Sequence, residues 1–124
     1  MLAQNPDRNR KKVNCALRSG RLIAFDFELA FSFLYPIIGL KEPWEVSQHG
    51  ICNNHVFQAM LKRKKVDWVP FVELVGELEE VRLQRLLSVI PDAWQEWGVK
   101  VCDHFGKVIA NKSKLEMEFQ RSLL

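Results

Sequence analysis

Apolar residues near the start of the chain occur at every second position, which is the spacing of a β-strand. Val13, Cys15 and Leu17 follow this spacing and predict a half-buried strand. A Ser-Gly turn comes next, and the apolar run Leu22–Phe27 predicts a second, more deeply buried strand. The two strands would form an antiparallel hairpin. Because a lone hairpin is only marginally stable in water, we expect it to pack on another part of the protein.

After the hairpin the pattern becomes helical. Glu28–Tyr35 predicts a short helix that ends before Pro36, residues 36–46 predict mostly loop, and Gln48–Lys64 predicts an irregular helix. The spacing then sharpens to that of amphipathic helices, which present one apolar face to a core. The inward positions of these later helices are Phe71, Leu74, Val75 and Leu78, then Leu83, Leu86, Leu87 and Ile90, then Trp94, Trp97, Val101, Phe105 and Ile109, and finally Leu115, Phe119 and Leu123.

The predicted fold class is therefore mainly α with a small N-terminal β-hairpin. The 124 residues are enough for one domain, which we place at 1–124, with the loop and hairpin in 1–27 and a helical subdomain in 28–124. Four Trp and eight Phe can fill a core. No apolar run reaches the roughly 20 residues that a membrane-spanning helix needs, so we expect no membrane partner.

Charge and cysteine content refine this picture only slightly. The net charge of +3 is mild, but basic residues crowd the start of the chain and recur at Lys62–Lys65. Such runs are usually solvated surfaces, and the sharper interpretation is that the first cluster faces phosphate. The three cysteines are widely spaced and odd in number, which favours a reducing, cytoplasmic location over a disulfide framework.

Polar residues suited to phosphoryl transfer flank the predicted hairpin. Asp7 and Arg8 precede the first strand, Asn14 lies within it, and Asp26 lies at the end of the second strand. Phosphoryl transfer uses one carboxylate to orient the hydroxyl nucleophile, and an amide oxygen and a second carboxylate to hold Mg²⁺. Because hairpin strands run antiparallel about 5 Å apart, we expect Asp7, Asn14 and Asp26 to converge at one end.

These residues also carry a family resemblance. HipA-like kinases and, more distantly, phosphoinositide lipid kinases have an Asp-Arg catalytic loop, a downstream Asn, and a strand that ends in an Asp-Phe-Gly-like or Asp-Phe-Glu-like metal motif. The segment Asn5–Phe33 resembles this arrangement through Asp7-Arg8, Asn14 and Asp26-Phe27-Glu28. The runs DFELAFSF at 26–33 and IPDAW at 90–94 are similar to one HipA-like branch.

The resemblance implies the C-lobe of a protein-kinase-like fold and an ATP-dependent phosphotransferase that acts on a hydroxyl, of the protein serine/threonine type. It implies ATP and Mg²⁺ as cofactors. Asp7 would be the catalytic base, and Asn14 and Asp26 would be metal ligands. Arg8 would be structural or phosphate-facing, and Lys12 would be a further cofactor-binding residue.

Two departures from the family pattern shape our expectations. The kinase loop places its Asn five positions after the Asp, where this chain has Lys12, and Asn14 lies two positions further on. Only six residues precede Asp7, which leaves no room for a Gly-rich phosphate cover or a strand lysine. We therefore expect a truncated form that is inactive alone and works with a missing or separate N-lobe or a protein substrate.

Other interpretations stay open. Asp7, Asn14 and Asp26 could be ordinary turn and cap residues. The chain could be a non-catalytic helical interaction module, or a nucleic-acid binder that uses its two basic clusters, although no nucleic-acid motif accompanies them. His49, Cys52 and His55 have metal-ligating side chains, but a fourth ligand is missing and their spacing scatters them around a helix, so we do not favour zinc.

Overall fold

The N-terminal hairpin is present, and most of the remaining structure is helical. The structure is a computed structural model that describes residues 2–35, 42–78 and 80–124. Strand β1 (Cys15–Arg18) pairs antiparallel with β2 (Arg21–Ala24), and Cys15 lies opposite Ala24. The predicted end of a helix at Pro36 and most of the predicted loop at 36–46 lie outside the described residues.

Six α-helices follow the hairpin in the described part of the chain: α1 (Gly50–Asn54), α2 (Gln58–Leu61), α3 (Val69–Gly76), α4 (Glu80–Leu87), α5 (Gln95–Ala110) and α6 (Lys112–Arg121). Three short 3-10 helices lie at Ser32–Leu34, Val46–Gln48 and Asp92–Trp94. Helix α3 packs on α6, and α4 packs on α5. Gly98 allows α5 to pack closely on the segment that follows α4, since a Cβ on Gly98 would lie 2.8 Å from Cδ1 of Ile90.

The core forms where the predicted helical faces meet. Leu115 and Val108 are completely buried, and Phe119 of α6 stacks on Trp68 with ring centroids 5.0 Å apart. The predicted inward positions Leu115, Phe119 and Leu123 are all buried, as the apolar spacing of the last helix requires. The principal core is therefore made by the C-terminal helices and the segments packed on them, and the hairpin contributes nothing to it.

Two predicted helices differ from the structure. Glu28–Tyr35 forms turns and a single 3-10 turn in place of a helix, and Phe31 takes a left-handed backbone with φ 63°. Gln48–Lys64 is split into α1 and α2. The break has a tertiary cause, because the loop before β1 hydrogen-bonds to the backbone there: Arg10 N–H donates to Asn54 O and Val56 N–H donates to Arg8 O, both at 3.2 Å.

The predicted burial of the hairpin is wrong. All four residues of β2 are exposed, and the Leu17 side chain of β1 is 75% exposed. The hairpin strands make most of their contacts with each other, so no second layer covers them in the described structure. The strand sequence supplied an apolar face, but nothing in the described chain packs against it.

Five positions that the periodicity predicted to face inward are exposed: Phe71, Leu74, Leu86, Trp94 and Trp97. Trp94 is 63% exposed and Trp97 is 43% exposed, although their spacing predicts a core face. Both line a shallow apolar groove between α4 and α5. Among the helices of the described ranges, none combines the length and the apolar character required to cross a bilayer.

Candidate functional site

The loop before β1 is built by two asparagine side chains. Asn9 Oδ1 accepts the backbone N–H groups of Lys11 and Lys12 at 2.9 and 3.0 Å, and Asn9 Nδ2 donates to Pro6 O at 3.0 Å. The backbone N–H of Asn9 donates to Lys12 O at 2.9 Å. Asparagine suits this position because its short side chain can imitate a backbone turn. The backbone of the loop is therefore fixed from within.

Buried Asn5 joins this loop to the exit of β2. Its Oδ1 atom accepts the backbone N–H of Asp7 at 3.1 Å, and its Nδ2 atom donates to Asp26 O at 3.3 Å. A single side chain thus contacts both carboxylate residues of the predicted site. The distance between the Asp7 and Asp26 backbones therefore depends on the buried Asn5 amide. Removing the hydrogen bonds of a buried amide costs free energy, so this distance is well defined.

Arg8 makes a second connection between the same segments. Its Nη2 atom donates to Phe25 O at 2.9 Å, and its guanidinium lies 4.9 Å from the ring centroid of Phe27. These contacts give Arg8 a structural role at the end of β2. Its predicted role toward phosphate stays a prediction.

Asn14 brings the predicted residues together. Its Nδ2 atom donates to Asp7 O and to Asp26 Oδ2, both at 3.2 Å. Asn14 and Asp26 both have left-handed backbones, with φ 46° and 55°, a region that Asn and Asp enter more readily than most residues. Within the described ranges Asn14 Oδ1 accepts no hydrogen bond.

Lys12 contacts the carboxylate of Asp7. The distance from Lys12 Nζ to Asp7 Oδ2 is 3.0 Å, and the Asp7 side chain is only 17% exposed while that of Lys12 is 63% exposed. The hydrogen bond with Asp7, followed by the charge of Asp7, raises the pKa of Lys12 above its usual value. The charges of Asp26 and Glu28 act in the same direction. Lys12 is therefore held at the site by the carboxylate of Asp7.

The five residues that the sequence singled out are connected, and two partners were missed. Asp7, Arg8, Lys12, Asn14 and Asp26 are linked by direct hydrogen bonds or through the loop backbone. Asn5 and Asn9 were not given structural roles. The run Asn-Pro-Asp at 5–7 carries a turn signal that could have indicated Asn5.

The donor set is oxygen-rich and has few carboxylates. In residues 2–35, 42–78 and 80–124 there is no group of three or more His, Cys, Asp or Glu side chains placed to hold a metal ion. Asp26 and Asn14 provide one carboxylate and one amide. This combination fits Mg²⁺, which proteins commonly hold through one or two carboxylates while substrate phosphates and water complete the shell.

The residues considered as zinc ligands have other roles in the structure. Cys52 Sγ donates to Val46 O at 2.8 Å, and burial raises the pKa of this thiol to about 11. Burial lowers the pKa of His55 to about 4. Cys52 is thus a neutral core thiol, and Cys15 and Cys102 are free thiols as well.

A second concave feature lies away from this site. It is an apolar groove of about 620 Å³, lined among others by Phe31, Leu86, Trp94, Trp97 and Phe105. Its walls come from α4, α5 and the turn after the hairpin. The groove has the size and apolar lining of many ligand pockets, but no titratable group of the loop site lines it.

Comparison with known proteins gave no relative. No family model, no curated protein and no solved structure matches this chain.

Proposed function

We propose that this chain is the C-terminal part of a HipA-like, protein-kinase-like phosphotransferase. In this proposal Asp7 is the catalytic base, Asn14 and Asp26 are the metal ligands, and Arg8 and Lys12 face the nucleotide phosphates. The observation that carries the proposal is the double hydrogen bond of Asn14 Nδ2, to Asp7 O and to Asp26 Oδ2 at 3.2 Å each. It joins three residues that phosphoryl transfer needs in one place.

Ordinary turn chemistry explains these contacts less well. A turn or cap residue hydrogen-bonds to the backbone within a few positions of itself, whereas Asn14 reaches seven positions back and twelve positions forward. No helix follows Asp26 directly that it could cap, since residues 28–31 form turns. Left-handed backbones at both Asn14 and Asp26 add strain, which tends to be retained at functional sites.

The chemistry assigned to each residue follows from its position. Asn14 and Asp26 would hold Mg²⁺, which would supply positive charge to offset the negative charge that develops on the transferred phosphoryl group. Asp7 would accept the proton of the acceptor hydroxyl as its oxygen bonds to the γ-phosphorus and the bond to the ADP oxygen breaks. Asn14 keeps the Asp7 backbone in place through its Nδ2 atom, which also donates to Asp26 Oδ2, so the oxygens left for the ion would be Asn14 Oδ1 and Asp26 Oδ1.

The exposed hairpin supports the need for a partner. An apolar surface along the hairpin is what a missing nucleotide-gripping lobe would leave uncovered, and Leu17, Leu22, Phe25 and Phe27 are all exposed there. We propose that such a lobe, joined or separate, covers this surface and supplies the phosphate cover and the strand lysine. The chain alone would then lack activity. We propose the cytoplasm as its location, consistent with three free thiols.

Metal binding tests the proposal directly. Mn²⁺ can replace Mg²⁺, and the free ion is counted by electron paramagnetic resonance. We expect Asp26→Asn to weaken Mn²⁺ binding at least about tenfold, since a charged ligand is lost. Asp103→Asn is the matched control, because Asp103 forms only an exposed pair with Lys107. Equal Mn²⁺ affinity in Asp26→Asn, Asp103→Asn and the unchanged chain would refute the site.

An ATP-consumption assay tests the dependence on a partner. The purified chain is expected to show no turnover. If this chain alone turned over ATP and Asp26→Ala abolished that turnover, the phosphotransferase proposal would be supported and the need for a second lobe would be disproved. The coding DNA upstream of Met1 offers a second check, since an in-frame Gly-rich loop and strand lysine would identify the joined lobe.

A non-catalytic interaction module is the second candidate. The exposed hairpin and the groove beside Trp94 and Trp97 favour it, because large uncovered apolar surfaces commonly mark protein contacts. It predicts partner binding that is unchanged by Asp26→Asn, whereas the phosphotransferase predicts a metal site that this substitution removes.

A further inference from the structure

Lys12 covers Asp7 from the solvent side. The Asp7 side chain is mostly buried, and its Oδ2 atom is the one that Lys12 Nζ contacts at 3.0 Å. The Lys12 side chain is largely exposed and reaches back to this carboxylate from outside. A cation that approaches Asp7 from solvent therefore meets another positive charge.

We propose that the positive charge of the Lys12 ammonium competes with a divalent cation held by Asn14 and Asp26, and that a polyphosphate relieves the competition by drawing Lys12 away from Asp7. The inference rests on the proposed function, because it assumes that Asn14 and Asp26 hold the cation. It adds a regulatory role to Lys12: metal and polyphosphate should each strengthen binding of the other.

The backbone and the side chain of Lys12 differ in freedom, which makes the exchange feasible. The Lys12 backbone is held at both ends, by N–H donation to Asn9 Oδ1 and by its carbonyl accepting from Asn9 N–H. Its ammonium ends a flexible stem in a solvent-exposed position and behaves as a mobile point charge. The ammonium can thus move from carboxylate to phosphate while the loop keeps its shape.

The expected size of the effect follows from electrostatics. A unit charge about 8 Å from a divalent cation in a largely aqueous setting changes the affinity for that cation by about fivefold. By linkage, bound polyphosphate strengthens cation binding by the same factor by which the bound cation strengthens polyphosphate binding. Removing the Lys12 charge should then raise divalent-cation affinity about fivefold and weaken polyphosphate binding by a similar factor.

Lys11 provides a matched control. It is the neighbouring residue with the same charge, its backbone N–H also donates to Asn9 Oδ1, and it is exposed. In the part of the chain that the structure describes, its side chain forms no ion pair. Lys11→Met therefore removes one positive charge from the same loop and leaves the Asp7 contact intact.

The experiment measures Mn²⁺ and inorganic tripolyphosphate separately, by paramagnetic resonance and by calorimetry, on the full chain and on Lys12→Met, Lys11→Met and Asp26→Asn. Thermal melts check that each variant folds. We expect Lys12→Met to bind Mn²⁺ about fivefold tighter and tripolyphosphate about fivefold more weakly, with Lys11→Met within about twofold of the unchanged chain.

The outcomes separate the two proposals. If Asp26→Asn loses Mn²⁺ while Lys12→Met matches Lys11→Met, the competition is disproved and the metal site survives. If Mn²⁺ binds none of the four proteins, or binds all of them equally, both proposals fail. Mn²⁺ binding that appears only in Lys12→Met would support the competition in its strongest form.

Discussion

The helices α5 and α6 are held by apolar contacts, while residues 5–26 are held mainly by hydrogen bonds. Val108 and Leu115 have no exposed surface, and they lie in the core. In the N-terminal region the amides of Asn5 and Asn14 make the connections, and the apolar side chains of the hairpin face outward. The helical region thus supplies stability, and the N-terminal region places polar groups at a defined geometry.

The largest expected effect compares one leucine from each region. Leu115→Ala removes a fully buried side chain and should lower the free energy of unfolding by about 2–5 kcal/mol. Leu17→Ala removes an exposed side chain and should change the free energy of unfolding by less than about 0.5 kcal/mol. Chemical denaturation monitored by circular dichroism measures both. Similar losses for the two variants would mean that the hairpin is part of the core in solution.

Acidification should lower the stability of the protein by a smaller amount. His104 Nε2–H donates to Leu2 O at 2.9 Å, and the His55 backbone forms a β-bridge with Asn9 of the loop, so both histidines lie where the N-terminal region meets the helices. Burial lowers the pKa of His104, and lowers that of His55 from 6.5 to about 4. Below pH 6.5 the unfolded chain therefore binds more protons than the folded one, and stability falls as pH decreases.

Thermal melts at pH values between 7 and 4 measure this dependence. The melting temperature should be nearly constant above about pH 6.5 and should fall by several degrees toward pH 4. His55→Gln should flatten the curve, because it removes the imidazole whose pKa burial lowers to about 4. A melting temperature that rises on acidification would contradict the assignment of these histidines as neutral contacts.

Asp26→Gly should also have only a small effect on the free energy of unfolding. Glycine relieves the left-handed backbone at φ 55°, and it also removes the hydrogen bond from Asn14, so the two changes nearly cancel. We expect the free energy of unfolding to change by less than about 1 kcal/mol while Mn²⁺ binding is lost. A large loss of stability with Mn²⁺ affinity retained would mark Asp26 as a structural residue.

The burial of the last helix was well predicted because its pattern is local. The spacing of Leu115, Phe119 and Leu123 requires one buried face wherever the helix packs, and that face is buried. The hairpin and its turn were also correctly placed, within a few residues at the strand ends. The prediction was less accurate where contacts between distant parts of the chain determine the structure. The helix predicted at 48–64 is divided because the loop at Arg8 and Arg10 hydrogen-bonds to its backbone.

The candidate site shows the same limit. The hairpin topology explains why Asn14 reaches the Asp7 backbone and the Asp26 carboxylate, while a metal site shared by these residues stays a prediction. The connecting role of Asn5 could not be derived, because it depends on burial of one amide between two segments. The periodicity could not predict that Trp94 is exposed. It shows which side chains share one face of a helix, but it does not show whether another element covers that face.

The distribution of the indole rings gives the protein a built-in optical probe. Trp94 and Trp97 border the groove and are open to solvent, whereas Trp44 and Trp68 pack against the core. An aqueous quencher such as iodide will dim the emission of the first pair before that of the second. A ligand or protein that fills the groove will shield the first pair, so its arrival can be followed without attaching any dye.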